Sequence, residues 1–169
     1  MKRYLPALLL AALISPVSSL AKSHHNKPPC VATSDTFDTS ADAALASMRT
    51  KAQTMGIGGV ALVAYFQGDT IQSWSSKMIV VGRYKDLPTA TGKGSNLLAI
   101  AYAKAAEMAD TLKDSGSGVR PPMTGEFGWN GGVIGRAKAG YWIAAFSGGK
   151  SEDDVSISRE GLSNLEMVP

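Results

Sequence analysis

Gly131–Gly149, GGVIGRAKAGYWIAAFSGG, is the stretch whose reading decides the fold. Two apolar runs, Val133–Ala137 and Tyr141–Ser147, are separated by Lys138-Ala139-Gly140. Tyr141, Trp142, Ile143 and Phe146 are aromatic or branched and suit a pleated, half-buried surface. Gly140 can take positive φ, so a short hairpin loop is expected there. Glycine pairs bracket both ends, where side chains would block the approach of another backbone or of a ligand.

Downstream, Ser151-Glu152-Asp153-Asp154 reads as a helix start, with a serine cap and acids where the helix dipole favours them. Ile157, Gly161 and Leu165 share one face of that helix. Upstream, Asp114–Gly128, DSGSGVRPPMTGEFG, is the longest irregular stretch, and long loops in compact domains tend to bind something. An alanine-rich helix precedes it, capped by Ser95 or Asn96 and running to about Leu112. Its apolar arc is wide enough for a helix packed on a sheet or at a subunit interface. Thr91-Gly92-Lys93-Gly94-Ser95 invites a P-loop reading, but Leu87 stands where the leading glycine belongs and Gly94 where Ser or Thr should follow the lysine. A glycine-rich turn ending at a helix cap fits better, within a loop spanning Arg83–Gly94.

Gly59–Phe66, GVALVAYF, is a near-continuous apolar run and predicts a central strand. Gln67-Gly68-Asp69 turns the chain, Thr70–Trp74 is expected to return beside it, and Lys77–Val81 to add a further segment. The first helix is expected from Thr39-Ser40-Ala41-Asp42, which resembles a capping box, to about Met55. Ala41, Ala44, Leu45, Met48, Ala52 and Met55 form its buried stripe, and Gly56 its stop.

The chain has 169 residues, enough for one domain with a sizeable core. Residues 1–21 read as a signal peptide: Lys2 and Arg3, an apolar Leu5–Ile14, then Ser19-Leu20-Ala21. Residues 22–38, with both histidines and Cys30, read as a flexible arm, and residues 39–169 as the domain. Without the leader, 15 basic residues face 14 acidic ones, a net charge of +1. That balance argues against a nucleic-acid partner. No later stretch is apolar and long enough to span a bilayer, so a soluble periplasmic or secreted protein is expected. A single cysteine makes no internal disulfide.

At the level of motifs the chain resembles the GlcG/HbpS family, found also as the C-terminal domain of PduO-type proteins. The likeness is strongest over Gly131–Gly149, continues through Ser151-Glu152, Asp154, Ile157 and Gly161-Leu162, and is weaker at Ala101–Ala106, AYAKAA, which resembles the family's Ala-x-x-Lys-Ala helix. The resemblance implies an α+β, profilin-like architecture: an antiparallel sheet of about five strands flanked by three helices. It also implies self-assembly into homo-oligomers and, for some members, haem binding. Two positions depart from the family pattern. Tyr65 or Phe66 stands where an Asp ends the family's Val-Val-Asp strand, and Glu107 where a threonine often follows the Lys-Ala pair.

A non-covalent haem site needs an apolar slot and an axial His, Cys, Met or Tyr. Both histidines lie in the arm, which leaves Met48, Met55, Met78, Met108, Met123, Tyr84 and Tyr102, all of which also make ordinary core or surface residues. Phe127-Gly128-Trp129-Asn130-Gly131-Gly132 puts two aromatics among glycines at the hairpin mouth. Trp129, Gly131 and Gly132 are the candidate contacts for a small flat ligand, with structural packing the competing account. Cleavage after Ala21 would leave Lys22-Ser23-His24, whose amine, two amides and imidazole can wrap Cu(II) in a square plane, with His25 a fifth ligand. A polar arm whose histidines merely titrate is the simpler account. With no His or Cys in the domain, a Ser-His or Cys-His pair is impossible there. Helix-surface solvation accounts for Glu107 and Asp110, while Glu126, beside Phe127 and Trp129, is the place to look for a perturbed acid. The functional expectation is a binding protein for haem or a related tetrapyrrole rather than an enzyme. A cofactor-free accessory module of a periplasmic oxidation system is the alternative, and a haem-degrading enzyme comes third.

Overall fold

The computed structural model describes residues 34–167, in the order α1 (Ser34–Thr54), β1 (Gly59–Gln67), β2 (Ser75–Val81), β3 (Lys85–Asp86), β4 (Ser95–Asn96), α2 (Leu97–Thr111), β5 (Gly132–Ala137), β6 (Gly140–Ser147) and α3 (Ser151–Leu162). The main sheet is antiparallel with strand order β2-β1-β6-β5, and β3 and β4 form a separate two-stranded ribbon. Three helices on an antiparallel sheet make an α+β fold compatible with a profilin-like architecture. The main sheet has four strands among the described residues rather than about five.

β1 is apolar from Val60 to Phe66 because both its faces are covered there. Ala61 and Val63 join Trp142, Ala144 and Phe146 of β6 in a core shared with α1 and α3. Val60, Leu62, Ala64 and Phe66 join Ile143 and Ala145 in a second core under α2. Burying each large side chain of this kind contributes roughly 1.5–3 kcal/mol. The α1 stripe packs as its spacing predicts, with Ala41, Ala44, Leu45, Met48 and Ala52 all buried. Gly161 lets α3 approach α1, since a Cβ there would sit 2.5 Å from Met48 Sδ.

Several boundaries differ from the sequence reading. α1 starts at Ser34, so residues 34–38 are helical rather than part of the arm, and Thr39 and Ser40 lie inside the helix rather than at its cap. The extra turn is held by tertiary partners that no local pattern records. Phe37 stacks on Trp142 at 5.7 Å and 10°, and Asp38 and Asp42 flank Lys77 of β2 at 3.5 and 2.8 Å. Thr70–Trp74 is not a strand: β2 begins at Ser75, paired with Tyr65, and continues through Lys77–Val81 as one element. The segment Arg83–Gly94 is not wholly loop, because Lys85 and Asp86 pair with Asn96 and Ser95. Asn96 is the α2 cap, its side chain accepting from Ala99 N at 3.1 Å.

In the hairpin, Ala137 pairs with Gly140, so the turn is Lys138-Ala139 alone. Gly140 does not take positive φ. Its missing side chain serves packing instead, since a Cβ there would collide with the Phe66 carbonyl of β1. Ser151 is the first residue of α3 rather than its cap; the cap is Lys150, which makes no side-chain capping bond. The proposed leader, the arm up to residue 33, both histidines and Cys30 lie outside the described residues.

Candidate functional site

The irregular segment between α2 and β5 is laced to its surroundings. Arg120 donates to Asp110 Oδ2 at 2.6 and 2.9 Å and to both Glu126 oxygens at 2.7 and 2.8 Å. Glu126 also accepts from Met123 N at 2.8 Å. Ser115 Oγ accepts from Gly132 N at 2.8 Å. Glu107 is not a solvated helix-surface acid: it is 6% exposed and accepts from Gly116 N at 2.9 Å. Asp110 is exposed and paired.

Glu126 is perturbed downward. Hydrogen bonds from the Arg120 guanidinium hold its carboxyl at about 2, below its ordinary 4.5. It is thus a fixed anion bracing the loop, not a proton donor at neutral pH. A carboxyl whose pKa falls on folding contributes stability above its unfolded pKa, and that contribution is lost as the folded-state group takes up its proton. The wild type is therefore expected to lose stability as pH falls from about 4.5 towards 2. Glu126→Gln should flatten that part of the profile of melting temperature against pH; parallel profiles would count against the pairing.

Trp129 and Phe127 stand on this loop half-exposed, their rings 4.8 Å apart and tilted by 31°. Trp129 lines a cleft of about 160 Å³ together with Asn130, Lys104, Ser147, Gly148, Gly149 and Asp154, among others. Gly131 and Gly132 are buried behind it. A Cβ on Gly131 would collide with Lys104 Nζ and approach Asp154 Cβ to 2.9 Å, and one on Gly132 would collide with the Met108 methyl. Packing accounts for both glycines.

Those contacts expose a feature the sequence reading passed over. Lys104 Nζ donates to Asp154 Oδ2 and to Phe146 O, both at 2.8 Å, with side-chain exposures of 3% and 5% for the pair. Asp154 Oδ1 accepts from Gly149 N at 2.8 Å, and Ser158 Oγ donates to Gly131 O at 2.7 Å. Burial lowers the Lys104 pKa and raises that of Asp154, each partly offset by the other's charge. The signal available in the sequence was a lysine inside the apolar arc of α2 and an acid in the first turn of α3.

An aromatic concavity lies elsewhere. A groove of about 290 Å³ lies between the start of α1 and the β5–β6 turn, lined by Phe37, Tyr65, Trp142, Ala137, Ala139 and Met167 together with the polar Thr36, Ser40, Lys138 and Glu166. Trp142 is its centre, with Phe37 stacked on it and the Tyr65 ring 4.8 Å away at 47°. Gly135, beside Trp142 in the sheet, leaves room for Met167, which a Cβ there would displace. The Tyr65 hydroxyl has no hydrogen bond among the described residues. Of the methionines and tyrosines considered as iron ligands, Met48 and Met108 are fully buried core, Met123 and Tyr84 are exposed, and Tyr102 contacts Ser76 and Trp74. Met55 and Met78 pack against the two cores. Tyr65 and Met167, which the sequence reading did not consider, are brought together only by the fold.

Among the described residues no group of three or more His, Cys, Asp or Glu could hold a metal ion, and His24 and His25 lie outside them. Among the same residues no helix is long and apolar enough to cross a membrane. No protein-family model and no curated protein matches the chain.

Proposed function

We propose that this protein binds haem or a related flat tetrapyrrole across the Phe37–Tyr65–Trp142–Met167 groove. One observation carries the reading: an aromatic, largely apolar groove lined by a phenol and a thioether, both of iron-ligating type. The resemblance over the hairpin and last helix supports it from the sequence side. At about 290 Å³ the groove lies at the lower end for small-molecule sites, so a macrocycle would rest over Trp142 with one edge in water. Tyr65 and Met167 would hold the iron, which when bound supplies ligand exchange or electron transfer. Phe37, Tyr65 and Trp142, already packed on one another, would form an aromatic floor that orients the ring and excludes water from one of its faces. The same reading makes the protein a periplasmic or secreted homo-oligomer.

The test is a hemin titration of the purified protein. A saturable Soret shift is expected in the wild type, with a changed band position in Tyr65→Phe and at least tenfold weaker binding in Trp142→Ala, an effect of the order that loss of a buried aromatic anchor produces. No saturable shift would favour the cofactor-free accessory module. A shift that decays with release of iron would favour the haem-degrading enzyme.

A further inference from the structure

We propose that the cleft at the other end of β6 is a separate binding site for a small carboxylate anion. It and the aromatic groove lie at opposite ends of the strand and on opposite faces of the sheet. Trp142 packs with the α1 and α3 core, whereas Ser147 pairs with Val60, a residue of the α2 core.

Ser147 is the observation that asks for a ligand. It is 3% exposed, it lines the cleft, and its hydroxyl has no hydrogen bond among the described residues. Every fully occluded side-chain nitrogen or oxygen among them has a partner. The Ser147 hydroxyl is therefore not sealed in the core: it has no protein partner among the described residues, and a ligand in the cleft it lines can take its hydrogen bond.

The groups around it favour an anion. Lys104 spends two of its three donors on Asp154 and Phe146 O, which leaves one N–H. Ser151 begins α3, a helix of 12 residues whose cap makes no side-chain bond, so first-turn amides are left as donors beside the cleft. Ser95 adds a hydroxyl from β4, just before α2, where Asn96 already takes the Ala99 amide. Both carboxylates in the lining are paired: Asp154 with Lys104, which lines the cleft beside it, and Asp86 with Arg83 Nε at 2.7 Å. Glu152 and Asp153 in the first turn of α3 offset part of its dipole, which favours one negative charge over two. The volume, about 160 Å³, admits only a compact molecule, and Trp129 gives it one apolar wall. A carboxylate with a short carbon body meets all of these conditions.

The experiment is an amide NMR titration of the full chain with sodium acetate at constant ionic strength, with sodium chloride as the control. Saturable shifts are expected at Ser147, Gly148, Gly149 and Ser151 and at the Trp129 indole, which sodium chloride does not reproduce. Ser147→Ala should bind acetate about tenfold more weakly, the effect of losing one hydrogen bond to a charged group. Trp129→Ala, a change at a half-exposed side chain, should weaken propionate more than acetate. Inorganic phosphate should bind more weakly than acetate. The proposal is overturned if acetate moves none of these signals, if chloride moves them equally, if Ser147→Ala binds as the wild type does, or if phosphate binds more tightly. Hemin does not enter this test, so its outcome is independent of the groove.

Discussion

Lys104→Met is expected to cost about 3–5 kcal/mol of folding stability, read as a lowered midpoint in urea denaturation. The substitution keeps an unbranched, helix-compatible side chain but strands Asp154 as a buried, uncompensated charge, 5% exposed, and takes a donor from Phe146 O. Replacing both partners removes the charge problem, so Lys104→Met/Asp154→Leu should recover much of the loss. The single variant should also respond to acid. Burial raises the Asp154 pKa in the folded state, and without Lys104 only the Gly148 and Gly149 amides oppose that rise. A carboxyl whose folded pKa exceeds its unfolded one binds more protons when folded. Lys104→Met should therefore gain stability relative to wild type as pH falls towards the ordinary carboxyl range. A loss below about 1 kcal/mol, the scale of an exposed ion pair, would contradict the burial of this one.

Gly131→Ala is expected to destabilise by about 3 kcal/mol or more, from two sources. Gly131 has φ of 136°, a backbone conformation that strains an L side chain, and its Cβ would strike Lys104 Nζ. Because the collision is with the ion pair, Gly131→Ala and Lys104→Met should be strongly non-additive in a double-mutant cycle. Trp129→Ala, two residues away but half-exposed, should change stability by only about 0.5 kcal/mol. If Gly131 instead served to admit a ligand, its alanine variant would melt like wild type and lose only binding.

The hairpin, the α1 stripe, the apolar β1 and the acidic start of α3 were legible in the chain because each is a short-range pattern. Periodicity, turn residues and glycines are set by neighbours a few positions apart. Local patterns failed where a distant partner outweighed them. Ser34–Asp38 is helical because Phe37 finds Trp142 and Asp38 finds Lys77, and Gly140 is glycine because of the Phe66 carbonyl rather than a turn conformation. The sites divide the same way. An aromatic loop with Trp129 at the hairpin mouth could be read directly. The Tyr65–Trp142–Met167 groove and the cleft over Ser147 could not. Each is assembled from segments far apart in the chain, as with Lys104 and Asp154, whose side chains are neutral or costly alone and acquire their chemistry only when packing removes water and supplies a partner. The sequence by itself thus determined where the three helices, the β5–β6 hairpin and β1 fall and which faces are apolar. Which polar groups end up buried together was decided by the tertiary structure, because desolvation belongs to the packed layers and not to any one of them.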